Sequence, residues 1–139
     1  MSFLLDTNII SEPKQKQPSE KVLEWLDAQD EAKLYLSVLT IGEIKKGVAR
    51  LESSRKKAAL EKWLEELRIR FSRRILPLSE KTFLVWGKMC GELERRGVLR
   101  PAFDSLLEAT ALEHDLIFVT RNVKNFFDSP VTILNPWED

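Results

Sequence analysis

The sequence has few of the cysteine and histidine residues that disulfides and zinc sites require. It contains one cysteine and one histidine in 139 residues, so Cys90 cannot form an intrachain disulfide and no zinc site of the Cys/His type can assemble. Its apolar runs are only a few residues long, and the N-terminus shows neither a basic leader nor the apolar centre of a signal peptide. We therefore expect no membrane-spanning segment and a reducing, cytoplasmic location.

The chain also lacks net charge, because 22 basic residues balance 22 acidic ones. Residues 45–74 nevertheless hold 11 of the basic residues and 4 of the acidic ones, which leaves 11 against 18 in the rest of the chain. A basic segment with acidic flanks suits a protein that binds phosphates through one surface and a metal ion through another. On charge alone, the solvated face of a long amphipathic helix is the simpler interpretation.

The hydrophobic pattern predicts a single domain over residues 1–139, since 43% hydrophobic residues in a chain of this length supply one core. Short apolar runs predict five strands, at residues 2–5, 33–36, 74–78, 116–119 and 131–134. Helical periods fill the intervals, at residues 19–28, 60–71, 79–96 and 101–114. This alternation predicts an α/β, three-layer fold, in which a parallel five-stranded sheet is flanked by helices. A helical pair between residues 39 and 71 is expected to protrude from it.

Three carboxylates follow the predicted elements at one edge of that sheet. Asp6 ends the first apolar run, Glu43 lies in the first turns after the second, and Asp104 lies just inside the helix that begins near Pro101. Ligands of open parallel sheets bind at the carboxyl ends of the strands, so we expect the three acids to converge there. Converging carboxylates repel one another unless they share a cation such as Mg²⁺ or Mn²⁺. Such an ion can bind a phosphodiester and activate a water for its hydrolysis.

Each acid also has a purely structural interpretation. Asp6 begins an Asp-Thr-Asn sequence that favours a turn or a helix cap. Thr40 and Glu43 have the spacing of a capping box, which would occupy Glu43; if Ser37 is the cap instead, Glu43 is free to bind metal. Asp104 at the start of its helix could simply complement the positive end of the helix dipole.

Four motifs in order resemble the PIN-domain toxins of the VapC type, including the FitB-like branch. They are Leu4-Leu5-Asp6-Thr7-Asn8-Ile9-Ile10-Ser11-Glu12, Ser37-Val38-Leu39-Thr40-Ile41-Gly42-Glu43-Ile44, Asp104-Ser105-Leu106-Leu107-Glu108-Ala109-Thr110-Ala111, and Val119-Thr120-Arg121-Asn122 with the ending Leu134-Asn135-Pro136-Trp137. The resemblance covers essentially the whole chain. It implies a PIN-like fold and a metal-dependent endoribonuclease that is the toxin of a type II toxin-antitoxin system and commonly forms a homodimer.

Carried over position by position, the resemblance makes Asp6, Glu43 and Asp104 the acids of a Mg²⁺ or Mn²⁺ site. It places Asn122 at the fourth acidic position, where an amide oxygen can orient a water but supplies no charge. The implied reaction is in-line attack of an activated water on an RNA phosphodiester, with Glu43 as a ligand or as the proton acceptor. Thr120 is expected to hold the local loop beside the site.

Two residues depart from the family pattern. Asn125 stands where relatives usually have Asp, and Glu108 stands where alanine is more common. Glu108 lies four residues after Asp104 on the same helical face, so one hypothesis makes it an outer ligand that replaces the lost charge. The alternative is that it points to solvent at the rim of the site. We also place Asn8 among the residues that surround the metal ligands.

Partners and an alternative function follow from the same resemblance. Lys45, Lys46 and Arg50 are expected to contact either the RNA backbone or a cognate antitoxin protein. The antitoxin peptide would lay apolar residues in a groove and insert a basic side chain into the acidic pocket. The alternative function is a catalytically weak or inactive PIN-like interaction module that binds RNA or a protein partner, because Asn122 and Asn125 reduce the acidity of the site.

Overall fold

A computed structural model describes residues 1–138 of the chain and contains one all-parallel sheet. Its five strands are Phe3–Leu5 (β1), Leu34–Ser37 (β2), Ile75–Leu76 (β3), Ile117–Val119 (β4) and Ile133–Leu134 (β5). They lie in the order β3-β2-β1-β4-β5, with β1 at the centre. All five predicted strands are confirmed, although most are shorter than the apolar runs that indicated them.

Six α-helices are found in the described part of the chain: Thr7–Ser11 (α1), Glu20–Ala28 (α2), Val38–Ala49 (α3), Arg55–Arg70 (α4), Glu80–Arg95 (α5) and Ala102–Glu113 (α6). Four of them begin after a serine whose hydroxyl oxygen accepts a backbone N–H of the first turn, as expected of good N-caps: Ser19, Ser37, Ser54 and Ser79. Short 3₁₀ turns occupy Glu12–Lys14, Glu31–Lys33 and Val123–Phe126. No helix in residues 1–138 is both long and apolar enough to span a bilayer.

The alternation of side chains along β1 explains the three layers. Phe3 and Leu5 belong to a core cluster with residues of α1, α3 and α4, whereas Leu4 belongs to a second cluster with residues of α6 and β4. A third cluster joins α5 to α6. The α3–α4 pair packs on the first cluster through Ile44 and Leu64 among others, so its inner face belongs to the core and its basic residues lie outward.

Candidate active site

Asp6 lies immediately beyond β1, at the carboxyl edge of the sheet, and has two structural roles there. Its backbone N–H donates to the carbonyl of Val119 at 2.9 Å, which ties it to the neighbouring strand β4. Its Oδ1 accepts the backbone N–H of Thr7 at 2.7 Å, so Asp6 is the N-cap of α1. Its Oδ2 accepts the hydroxyl of Thr120 at 2.8 Å. The predicted cap is therefore present, and it holds the carboxylate at the edge where strand ends meet.

Glu43 is not part of a capping box. The cap of α3 is Ser37, whose hydroxyl oxygen accepts the backbone N–H of Leu39 at 3.0 Å, and Thr40 lies fully buried inside the helix. The carboxylate of Glu43 reaches α1 instead, where its Oε1 accepts the hydroxyl of Thr7 at 2.9 Å. One residue of the Asp-Thr-Asn sequence thus links two of the predicted acids.

The electrostatics show that the three carboxylates share one neighbourhood. Burial raises the pKa of Asp6, and the carboxylates of Glu43 and Asp104 raise it further, against the lowering effect of its bonds from Thr120 and Thr7. Burial also raises the pKa of Asp104, although the guanidinium of Arg100 lowers it. None of the ion pairs within residues 1–138 includes Asp6, Glu43 or Asp104. The site therefore holds negative charge that no nearby cation of the described chain pairs with.

These residues fit a hard divalent cation by donor type and by charge. Carboxylate oxygens are the ligands that Mg²⁺ and Mn²⁺ prefer. Within residues 1–138, however, no three or more His, Cys, Asp or Glu side chains lie close enough together to hold one ion in common. This arrangement suits Mg²⁺, which usually keeps several waters and binds through one or two carboxylates plus the phosphate of a substrate.

Thr120 and Asn8 connect the rest of the predicted site to Asp6. The amide Nδ2 of Asn8 donates to Asp6 Oδ2 at 3.4 Å and to Thr120 Oγ1 at 3.5 Å. The backbone N–H of Asn122 also donates to Thr120 Oγ1, at 3.1 Å, while the side chain of Asn122 is exposed. The hydroxyl of Thr120 thus bonds to both Asp6 and the loop that carries Asn122.

Glu108 does not point to solvent, and the expectation of an exposed residue at the rim is wrong. Its side chain is 0% exposed and forms a bidentate ion pair with Arg100, whose side chain is 1% exposed. Arg100 Nε donates to Oε1 at 2.8 Å and Arg100 Nη2 to Oε2 at 3.0 Å. Both carboxylate oxygens are therefore engaged by a guanidinium, which speaks against their use as outer metal ligands.

The Arg100 side chain has a further role that sequence reasoning missed. It also donates to the carbonyl oxygens of Asn125 at 3.0 Å and Phe127 at 2.9 Å. It therefore ties the loop after β4 to α6, the helix that carries both Asp104 and Glu108. The available sequence signal was a basic residue directly before Pro101 and eight positions ahead of an unusual glutamate.

A groove of about 520 Å³ runs beside Glu43, between α3 and the start of α6. Lys46 and Arg50 line it, as do the half-exposed apolar side chains of Val38 and Phe103. Lys45 is exposed on α3 but is not part of the lining. Two of the three predicted basic contacts therefore lie next to one of the acids.

Comparison with known proteins gives consistent similarities over the whole chain. The family model described as PIN domain matches residues 3–128. Toxin FitB of Neisseria gonorrhoeae is 39% identical over 138 residues, which cover 99% of both chains. VapC ribonuclease Y4jK of Sinorhizobium fredii is 31% identical over 137 residues, which cover 98% of both. Among solved structures, FitAcB from Neisseria gonorrhoeae matches with a TM-score of 0.94, at 38% identity and 99% coverage of both chains. The range matched by the family model includes all three carboxylates and Asn122.

Proposed function

The chain belongs to the PIN-domain family, and on that basis we propose that it is the toxin of a type II toxin-antitoxin pair and acts as a Mg²⁺- or Mn²⁺-dependent endoribonuclease. Its near full-length similarity to a protein named as a toxin and to one named as a VapC ribonuclease supports the proposal. The observation that carries it is that the carboxylates of Glu43 and Asp104 both act on the pKa of Asp6, while none of these three acids takes part in an ion pair within residues 1–138. A cytoplasmic location stays a prediction, and it is the location that we expect for an enzyme acting on RNA.

The three carboxylates of the site differ in how many of their oxygens accept hydrogen bonds from neighbouring residues. A divalent cation bound here would bind the scissile phosphate and activate the attacking water. Asp6 is oriented for this purpose by Thr7 and Thr120, which fix both of its oxygens. Glu43 uses one oxygen for Thr7, and the carboxylate of Asp104 accepts no hydrogen bond from the described residues. These two keep oxygens free to bind the ion or to accept the proton of the water.

Asn122 and Glu108 have different proposed roles. The exposed amide of Asn122 would orient a water at the site without adding charge. Glu108 would act at a distance, because its ion pair with Arg100 fixes the loop that contains Asn122.

We assign the groove beside Glu43 to the antitoxin. Val38 and Phe103 offer apolar surface to a bound peptide, and Glu43 offers a carboxylate to a basic side chain inserted from it. Lys46 and Arg50 would then contact acidic residues of the same peptide. A homodimer is also proposed, since Phe83 and Leu84 on α5 are 46% and 69% exposed and a second copy would cover them; light scattering of the purified chain would measure the assembly.

The ribonuclease is tested by incubating the purified full chain with single-stranded and structured RNAs in Mn²⁺ or in EDTA. We expect cleavage only with Mn²⁺, with 5′-phosphate and 3′-hydroxyl ends, and loss of cleavage in Asp104→Asn. Asp27→Asn, which removes an exposed carboxylate on α2, is the matched control and should cleave normally. Cleavage that survives EDTA, or that is undiminished in Asp104→Asn, would refute the mechanism.

A second candidate function is an inactive interaction module with the same fold. The exposed amide of Asn122 in place of an acid favours it. Measuring the melting temperature at increasing concentrations of Mn²⁺ separates the two candidates. An enzyme gains thermal stability as the ion binds its native state, whereas an inactive module that has lost the ion site does not.

A further inference from the structure

A second cleft, which shares no lining residue with the groove beside Glu43, is lined by Asn8 but not by Asp6. It has a volume of about 1020 Å³, just above the range of about 300–1,000 Å³ that is usual for small-molecule sites. Its polar and aromatic lining includes Asn8, Lys14, Lys16, Lys56, Arg121 and Trp137. These residues come from four separate segments of the chain, so only the fold brings them together.

The cleft carries a surplus of positive charge. Four cations line it, and none of them takes part in an ion pair within residues 1–138. The carboxylate in the lining belongs to Glu12, which is buried and accepts the backbone N–H of Ser19 at 2.7 Å. A concave surface with unpaired cations concentrates the field that attracts phosphates.

Arg121 is held in place before any ligand binds. Its backbone N–H donates to Asn8 Oδ1 at 3.3 Å, and its carbonyl oxygen accepts the amide of Asn135 at 3.3 Å. Its guanidinium lies 5.0 Å from the ring centroid of Trp137, a cation–π contact that restrains the side chain. A restrained guanidinium loses little conformational entropy when it binds a phosphate through two hydrogen bonds.

The cleft is continuous with the acidic site through one side chain. Asn8 donates to Asp6 Oδ2 with its amide nitrogen and accepts the N–H of Arg121 with its amide oxygen. A strand bound along the lining that includes Asn8 and Arg121 would therefore pass beside Asp6. Cations without an ion-pair partner beside a group of carboxylates suit a phosphodiester substrate of a metal-dependent enzyme.

We propose that this cleft binds the backbone of a single-stranded RNA next to its scissile phosphate, an inference that rests on the proposed ribonuclease function. Arg121 and the lysines bind phosphates, and the stacked Arg121–Trp137 pair offers a flat surface to an unpaired base. RNA is favoured over a protein segment because the cleft is lined by cations, whereas exposed apolar side chains line the groove beside Glu43. The substrate strand and the antitoxin peptide would thus approach the acids from different sides.

The test measures binding and cleavage separately. A fluorescent, randomised single-stranded RNA pool is titrated with the full chain in EDTA at several salt concentrations, for the unchanged protein and for Arg121→Gln and Lys56→Gln. Lys33→Gln is the matched control, because Lys33 is exposed directly before β2, at the opposite edge of the sheet. The plot of the logarithm of the binding constant against the logarithm of the salt concentration has a negative slope. Its steepness should decrease by about 0.7 in each cleft variant, the value for one lost phosphate contact on a single strand. The control should keep the slope of the unchanged protein.

Photocrosslinking with 4-thiouridine RNA, followed by mass spectrometry, gives a second measurement that needs no variant. We expect crosslinked peptides that contain Arg121 or Trp137. RNA binding and cleavage by the unchanged chain, with both cleft variants equal to Lys33→Gln and with crosslinks elsewhere, would overturn the cleft and leave the ribonuclease intact. Failure of the unchanged chain to bind or cleave RNA would overturn both.

Discussion

The buried ion pair between Arg100 and Glu108 allows a quantitative prediction. Replacing Glu108 by leucine leaves the guanidinium of Arg100, 1% exposed, without its counter-ion. Breaking a buried pair by removing one partner costs about 3–5 kcal/mol. Domains of this kind are stable by about 5–15 kcal/mol, so the loss is a large fraction of the whole.

The loss converts into a temperature shift through the entropy of unfolding. At about 2.1 cal/mol/K per residue, a chain of 139 residues has an unfolding entropy of about 0.29 kcal/mol/K. The expected fall in Tm of Glu108→Leu is therefore about 10–17 °C. Arg100→Met should lose a similar amount, because it leaves the buried carboxylate unpaired and also removes the donor to the carbonyls of Asn125 and Phe127.

The double variant Arg100→Met/Glu108→Leu distinguishes a charge pair from ordinary packing. It removes both charges, and well-packed apolar replacements of a buried pair are often neutral or stabilising. We expect it to be more stable than either single variant, with a coupling energy of about 2 kcal/mol or more. Urea denaturation followed by circular dichroism measures all four proteins. A loss below about 1 kcal/mol in Glu108→Leu, or a double variant whose loss equals the sum of the two single losses, would refute the reasoning.

Two further predictions concern acids and hydroxyls. Because the raised pKa of Asp104 makes its ionised form unfavourable in the fold, metal-free stability should fall as pH rises above the ordinary value of 3.8 through the raised pKa. In EDTA at neutral pH, Asp104→Asn should thus melt higher than the unchanged chain, while the exposed control Asp27→Asn should not; a lower Tm would contradict this. Thr40→Val should gain about 1 kcal/mol, because the buried hydroxyl of Thr40 has no hydrogen-bond partner within residues 1–138. Thr110→Val should lose about 1 kcal/mol of unfolding free energy, because Thr110 Oγ1 donates to the carbonyl of Leu106 at 2.7 Å. Urea denaturation measures both variants, and equal changes in the unfolding free energy of Thr40→Val and Thr110→Val would refute this reasoning.

The fold was predictable because its signals are local. Apolar runs mark the strands, and serines such as Ser19 and Ser79 mark helix starts, since an N-cap acts within one turn. The fate of Glu43 was not predictable in the same way. Ser37 and Thr40 are both good caps, and the choice between them depends on the burial of Thr40, which distant residues determine.

The site was predictable where topology alone brings residues together, as for Asp6 and Thr120 at the ends of adjacent strands. Glu108 was misjudged because helical periodicity gives the face of a residue but does not reveal what covers that face. Its cover is Arg100, which lies outside α6 on the preceding segment. The basic cleft was missed for a related reason. Lys14, Lys56 and Arg121 are far apart in sequence, and the charge count drew attention to residues 45–74 as one block.

The ion pair of Arg100 and Glu108 also has an evolutionary consequence. We expect each residue to destabilise the fold when the other is lost, so the two positions should be inherited as a unit. Relatives with alanine at the position of Glu108 should lack an arginine at the position of Arg100 and hold the loop after β4 by other means.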